Sequence, residues 1–422
     1  MGNPDRPRLA YLTNWYPAVS LTFVLREIEA LRELGAAVLP ASIRRSPPAQ
    51  HPGPAERAEA ARTFNVLDAA RRPGTLLAAL GFGLASPHRL AQAVGLAWRT
   101  RRPGLRGLVW QGAYILEALV LARWMTRSGV EHLHIHFIGG VATAGMLGAG
   151  LAGVPYSLTV HGPTDFEEPH LWHLGEKVAR AAFVACISHF ARSQVMLQTD
   201  PAHWGKIRIV HCGVIPELYE RPAAAPDKPP DTPGGEPVEL VFVGRLAPVK
   251  GLRILLDALE RVEHPPVRLT VVGDGPDRPH LEAAAAPLGP RVRFTGYLSQ
   301  AEVAETLAKA HLVVLPSFAE GVPVMLMEAM AAGLPVIATT IAGTGELVAD
   351  GVSGRLVPPG DVEGLAAAIA ALAADPDGRR RMGEAGRKTI RAEFDVRTEA
   401  RRLLALLAGT GGADPRPAPA DA

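Results

Sequence analysis

The chain has 422 residues, of which 48% are hydrophobic and 20% charged, and a net charge of +2. Single cores stop growing at roughly 250–300 residues, so this length calls for at least two domains. The near-neutral charge argues neither for nor against nucleic acid, and two cysteines, Cys186 and Cys212, exclude a disulfide framework and suit a reducing compartment.

The opening MGNPDRPRLAYLTN has no apolar h-region, and no unbroken apolar run reaches the roughly 18–20 residues of a membrane span, so a cytoplasmic protein is expected. LAYLTN (9–14) reads as a first strand. A helix follows, with Ser20 as its N-cap and Gly35 at its end, and then the strand AAVLPASI. Residues 46–130 turn helical and irregular, with proline joints. Strand patterns return at HLHIHF (132–137), YSLTVHG, FVACIS and KIRIVHCGV, with helices at VATAGMLGAGLAG and GEKVARAA.

RPAAAPDKPPDTPGGEP (221–237) has the composition of a linker. After it the alternation restarts: VELVFVG, VRLTVVG, RVRFTG, HLVVLPS and PVIAT as strands, separated by helices of about ten residues. Such alternation predicts parallel sheets covered on both faces, an α/β chain of two Rossmann-like domains. The expected organisation is an N-terminal domain at 1–220 with a helical insertion at 46–130, the linker, and a C-terminal domain at 238–388. A C-terminal helix at 389–410 can cross back to the N-terminal domain, and 411–422 reads as a disordered tail. Ligands of such sheets bind beyond the carboxyl ends of the strands.

Three patterns are set aside. GAGLAG (148–153) matches G-x-G-x-x-G, but it ends a helix and precedes a strand, the reverse of a dinucleotide site, so packing and termination explain it. His132, His134 and His136 share one strand face, a metal-like spacing. No acid or cysteine joins them on that face, so they read as satisfied residues at or beside the site. GRLAPVKG lacks the Ser or Thr and the glycine spacing of a Walker loop.

The chemistry concentrates in two stretches. In FVGRLAPVKG (242–251) a strand ends at Gly244, and Arg245 and Lys250 project before a helix start, which suits a diphosphate. In EGVPVMLMEAM (320–330), Glu320 lies in a loop and Glu328 one to two turns along a helix, with backbone N–H groups near 322–325 available to an anion. Carboxylates accept bonds from vicinal hydroxyls, so one glutamate suits a sugar and the other a ribose. The alternative is a pair of ion-paired glutamates, against which stands the absence of any basic residue between Gly321 and Pro335.

FVGRLAPVKG, VVGDGP, FTGYLS, PSFAEGVPVMLMEAMAAGLPVIAT and GVSGRLVPPGD, in that order, resemble the retaining GT-B glycosyltransferases of glycosyltransferase family four. The N-terminal stretches YLTNWYPAVSLTFVLREIEALRELG, HLHIHF, YSLTVHG and ISHFARSQ resemble its colanic-acid, exopolysaccharide-building branch. The resemblance implies a GT-B fold, with Arg245 and Lys250 holding the nucleotide diphosphate, Glu328 on the ribose, and Glu320 on the transferred sugar. It implies His161 facing that sugar from the other domain, and backbone of Gly296, Tyr297 and Leu298 at the base. Gly244, Val322, Pro323 and Val324 would line the donor, and Asp274 reads as a turn residue. Transfer would retain configuration, with no metal and no cofactor, from a UDP- or GDP-linked sugar. Many members carry a Gly-Gly loop after the first strand. Here NWYPAVSLTFV stands there instead, and Ser20 and Thr22 are expected to substitute for it.

From Pro87 to Arg127 seven arginines (89, 99, 101, 102, 106, 123 and 127) face one acid, Glu117, among Leu, Val, Trp98, Trp110 and Trp124. This suits an anionic inner-membrane surface and a polyprenyl-diphosphate-linked glycan acceptor, or equally an insertion that packs on its own domain and shows arginines to water. A small-molecule acceptor, a nucleotide-sugar 2-epimerase and a non-catalytic nucleotide-sugar-binding subunit remain as alternatives.

Overall fold

The computed structural model describes residues 7–51, 53–219 and 237–409. All but the last residue of the expected linker (221–237), and the whole tail (411–422), lie outside the described residues. The chain divides into two compact units, one running to His211 and taking in the chain from Glu399 onward, the other Cys212–Thr398.

The first unit runs β1 (Arg8–Tyr16), α1 (Thr22–Glu33), β2 (Ala37–Arg45), α2 (Pro54–Arg62), β3 (Phe64–Asn65), α3 (Val66–Ala70), α4 (Pro73–Leu84), α5 (Pro87–Arg99), α6 (Gly104–Arg127), β4 (His132–His136), α7 (Gly140–Ala152), β5 (Tyr156–Val160), α8 (Leu174–Arg180), β6 (Val184–Cys186), α9 (His189–Leu197) and β7 (Ile207–Ile209). Its sheet is parallel, in the order β3-β2-β1-β4-β5-β6-β7. Every residue of β4, β5 and β6 is buried, because helices cover both faces.

The second unit runs β8 (Val238–Val243), α10 (Leu252–Glu260), β9 (Val267–Val272), α11 (Arg278–Ala285), β10 (Val292–Gly296), α12 (Gln300–Lys309), β11 (Leu312–Leu315), α13 (Val324–Ala331), β12 (Val336–Thr339), α14 (Thr344–Leu347), β13 (Gly354–Val357), α15 (Val362–Ala374) and α16 (Pro376–Glu393). Its sheet is also parallel, in the order β10-β9-β8-β11-β12-β13. The last helix, α17 (Val396–Leu407), begins after a break at Phe394 and Asp395, so the stretch 389–410 is two helices rather than one. Each sheet has one point where the strand order reverses, at β1/β4 and at β8/β11, the place where sheets of this kind bind their ligands.

Three expectations need correction. Ser20 does not cap α1: a 3-10 turn, Val19–Leu21, intervenes, and Leu21 holds the cap position with no side-chain bond. The insertion contains a two-residue strand, β3, too short to show a pattern. The C-terminal helix is interrupted as described above. Over its most apolar 18 residues α6, 24 residues long, has a mean hydropathy of 1.3, enough to cross a membrane by length and composition alone. It forms the core of the insertion instead, with Ala118–Ala122 and Met125 buried against α7 and the neighbouring helices.

GAGLAG ends α7. Gly153 has φ +74° and caps the helix, and a Cβ at Gly148 would meet Leu121 and the carbonyl of Ala118. Gly150 is exposed and meets nothing within 4 Å. Gly150→Ala should therefore raise stability by about 0.5–1 kcal/mol, while Gly153→Ala should lower it by about 1–2 kcal/mol. Urea midpoints of the two variants check this, and shifts of the same sign would contradict the assignment.

Candidate functional site

In the second unit the loops leaving β9, β8 and β11 meet backbone to backbone. Gly273, at φ +129°, would place a Cβ 2.0 Å from the carbonyl of Gly244, and Gly251, at φ +63°, would place one 2.0 Å from that of Pro316. Phe318 N donates to Val249 O at 2.8 Å, stitching the β8 and β11 loops together. Only glycine permits these approaches.

The stitched loops place Lys250 Nζ 2.6 Å from Glu320 Oε1, which also accepts from Ser317 Oγ at 2.7 Å. The ion-paired alternative thus holds for Glu320: its cation comes from 70 residues upstream, on the neighbouring strand's loop. Arg245 is exposed, and its guanidinium makes no hydrogen bond or ion pair among the described residues. Pro323 precedes α13, whose first N–H groups have no acceptor within the helix. Glu328 is buried, and its Oε1 accepts from Tyr219 OH at 2.7 Å, a hydroxyl that also receives Gln300 Nε2 at 3.1 Å. Gly296 ends β10 at φ +78°, and Tyr297 beyond it is 64% exposed. Asp274 accepts from Gly275 N and Arg278, as a turn residue does. Two cations, an open helix start and two carboxylates therefore occupy the carboxyl ends of one sheet. That set can hold an anionic diphosphate and accept hydrogen bonds from hydroxyls.

In the first unit His161 follows β5. Its ring packs between Phe23 and Phe137 at 4.9 and 4.6 Å, and its Nε2 lies 2.9 Å from His136 Nδ1. Burial and the neighbouring His136 hold it well below the usual imidazole range, so it is neutral at physiological pH. Asp165 fixes this corner, taking His161 N at 2.7 Å and Ile138 N at 3.0 Å on its two oxygens. Lys177 Nζ donates to the carbonyls of Ile138 and Gly139. Burial moves the two toward each other, Asp165 up to about 6 and Lys177 down to about 7.

The three strand histidines are buried. His132 and His134 bond Ser157, and His134 also bonds Thr159, all at 2.7–2.8 Å. Glu27, His134 and His136 bring ligand-type atoms within 4.8 Å of one another, and Glu27, on α1, supplies the acid that the strand's own face lacks. Both nitrogens of His134 already have hydroxyl partners, and Glu27 Oε1 accepts from Tyr11 OH at 2.9 Å.

Sequence reasoning missed Glu27, Asp165, Lys177 and Tyr219. For Asp165 the run HGPTD, an acid four residues past His161, was an available signal.

Ser20 does not meet the histidines. With Trp15, Trp110, Tyr114, Phe137, Trp172 and Glu117 it lines a cavity of about 800 Å³ at the ends of β1, β2 and β4. Thr22 opens α1, half-buried. Glu117 is 8% exposed, and burial lifts its carboxyl to about 7. The folded form then holds the proton more tightly than the unfolded one, so this group favours folding below pH 4.5 and loses that contribution as pH rises through 7. Glu117→Gln should be more stable than the parent by roughly 3 kcal/mol at pH 8, with the gap closing near pH 4.5. Paired denaturation curves across pH check this.

Comparison with known proteins follows the same lines. Residues 237–375 match the family described as glycosyl transferases group 1. The chain is 30% identical over 331 residues to the 2-deoxystreptamine glucosyltransferase of Streptomyces kanamyceticus, covering 73% of this chain and 84% of that protein. It is 26% identical over 423 residues to the amylovoran biosynthesis glycosyltransferase AmsK of Erwinia amylovora, covering 95% and 99%. It spans about half the length of other curated relatives, such as the Mycobacterium tuberculosis glycogen synthase, 36% identical over 45% of that protein. Anabaena Alr3699/HepE, solved in complex with UDP-glucose, superposes with a TM-score of 0.71 at 19% identity over 95% of this chain and 99% of that one. At that identity the likeness shows the fold, which is GT-B.

Proposed function

Since the chain belongs to the group 1 glycosyltransferases, we propose that it transfers a hexosyl group, with retention, from a nucleotide-diphosphate sugar to a lipid-linked exopolysaccharide precursor. The observation carrying this reading is the group at the ends of β8 and β11: unpaired Arg245, Lys250 beside Glu320, and the open start of α13. The bond from the anomeric carbon to the diphosphate breaks, and the departing oxygen gains charge that Arg245 and Lys250 neutralise. The acceptor oxygen bonds the same face of that carbon, and its proton passes to the leaving phosphate. Glu320 holds hydroxyls of the moving sugar, Glu328 the ribose and His161 the donor sugar, while backbone from Gly296 to Leu298 meets the base. The two cations carry out the neutralisation that Mg²⁺ performs elsewhere, so turnover is metal-independent. UDP as the leaving group is supported by the Anabaena complex, and an exopolysaccharide precursor by the near full-length match to the amylovoran enzyme.

UDP or GDP should raise the melting temperature of the parent and leave an Arg245→Ala/Lys250→Ala double variant unmoved. Each single change should lower kcat by about 10²–10³-fold, and EDTA should not. A parent with no shift from any nucleoside diphosphate would overturn the donor assignment.

A lipid-linked acceptor requires the enzyme to work at a bilayer, and the insertion supports that. Leu77, Leu80 and Leu84 on α4, Val94 and Trp98 on α5, and Leu105, Leu108, Val109 and Leu116 on α6 are all exposed. Among them Arg71, Arg72, Arg99 and Arg106 are exposed as well, and Arg101 stacks on Trp98 at 3.8 Å. The protein should co-sediment with phosphatidylglycerol vesicles and not with phosphatidylcholine ones. A Leu84→Ser/Trp98→Ser/Val109→Ser variant should stay in solution, and equal binding of both vesicle types would refute the electrostatic part. A soluble small-molecule acceptor is the second reading, favoured by the 30% identity to the 2-deoxystreptamine enzyme.

A further inference from the structure

The cavity in the first unit has one feature that packing does not explain. Five aromatic rings line it: Trp15, Trp110, Tyr114, Phe137 and Trp172. Set among them is Glu117, more than nine-tenths buried, with no hydrogen bond or ion pair among the described residues. Other buried acids of this unit are held. Glu59 has Arg32 and Tyr16, Asp165 has two backbone N–H groups, and Glu399 has Arg402 and the N–H of His211. Arg44 also lines the cavity; it is exposed and forms no ion pair with Glu117, and its charge acts on the carboxyl only from a distance, too weakly to offset burial.

Buried without a hydrogen-bonded partner, this carboxyl keeps its proton up to about pH 7, and an arriving opposite charge is what would let it ionise in place. Its surroundings narrow the use. A neutral hydroxyl donates one hydrogen bond and leaves the charge uncompensated, whereas a protonated amine supplies both the bond and the opposite charge. Aromatic faces also attract cations, most strongly where water is excluded, and they cover the C–H face of a saturated ring. The position agrees, since the cavity lies at the reversal of strand order, β1/β4, where α/β sheets bind ligands.

We propose that this cavity is the acceptor subsite and that it selects a polyol bearing a protonated amine, an amino sugar or aminocyclitol residue, whose ammonium group donates to Glu117. The inference rests on the reading of the chain as a glycosyltransferase and adds to it the chemical class of the residue that is glycosylated. N-acetylation removes the charge, so the site discriminates against acetylated forms. A pocket built to bind a polar group rejects analogues lacking it far better than an apolar pocket rejects an added methylene.

The test is calorimetric titration of the full chain, with UDP present, using D-glucosamine, N-acetyl-D-glucosamine and D-glucose at neutral pH. Glucosamine should bind at least tenfold more tightly than the other two. Glu117→Gln, nearly isosteric and checked by thermal melting, should erase that preference, while Trp110→Ala should weaken all three ligands together. Equal affinity for the three, no binding by any of them, or a preference surviving in Glu117→Gln would overturn the proposal. Hydrolysis of a nucleotide-sugar panel without acceptor reports the transfer reading separately. Turnover there with no amine preference removes only this inference, whereas amine preference with no turnover of any donor upholds the subsite and removes the transfer reading.

Discussion

Everything at the site follows from parallel pairing of strands that are distant in sequence. β8 and β11 lie side by side and point the same way, so the loops leaving them must run together. Gly251 lets one loop rest on the carbonyl of Pro316, Phe318 bonds Val249, and only then can Lys250 reach Glu320. A side chain at Gly251 would separate the two loops before it touched any charged group. The first unit repeats the device with other parts. β4 and β5 are adjacent, and Asp165 takes a backbone N–H from the loop after each, while Lys177 takes two carbonyls of the same corner.

Within this frame the two units leave opposite charges uncompensated. In the second unit it is Arg245, exposed and unpaired; in the first it is Glu117, buried and unpaired. Most other charged groups near these points are neutralised locally, Lys250 by Glu320 and Arg102 by Glu168. A lone cation in water costs little, and a lone carboxylate among aromatic rings costs much more. The difference suits an anionic partner that arrives hydrated and a cationic one that must be stripped of water.

The alternation of strand and helix was legible because β-branched runs and glycine stops recur along both halves, and the sheets form where those runs lie. The roles of neighbours were not legible, because they depend on pairing between strands. Glu320 looked unpaired, since no base lies between Gly321 and Pro335, yet Lys250 stands 2.6 Å away from the next strand's loop. Ser20 had the chemistry of a cap, but a 3-10 turn moves the cap on by one residue to Leu21, a choice that local composition does not decide. Glu117 was visible as the one acid among seven arginines, but its isolation depends on how the faces of α6 are turned. The apolar stretch of α6 was hidden because charged residues interrupt it, although its most apolar 18 residues still reach a mean hydropathy of 1.3.

Glu399, 2% exposed, receives the backbone N–H of His211, and the chain from Glu399 onward belongs to the first unit. During synthesis, which proceeds from the N-terminus at about 5–20 residues per second, that acceptor emerges only after the whole second unit has been translated. The first unit therefore leaves the ribosome missing a piece of itself, and it must wait roughly 10–40 seconds with that amide uncovered. A nascent chain stalled before Glu399 would present chaperones with an intact second unit and an unfinished first one, the reverse of the order in which they were made.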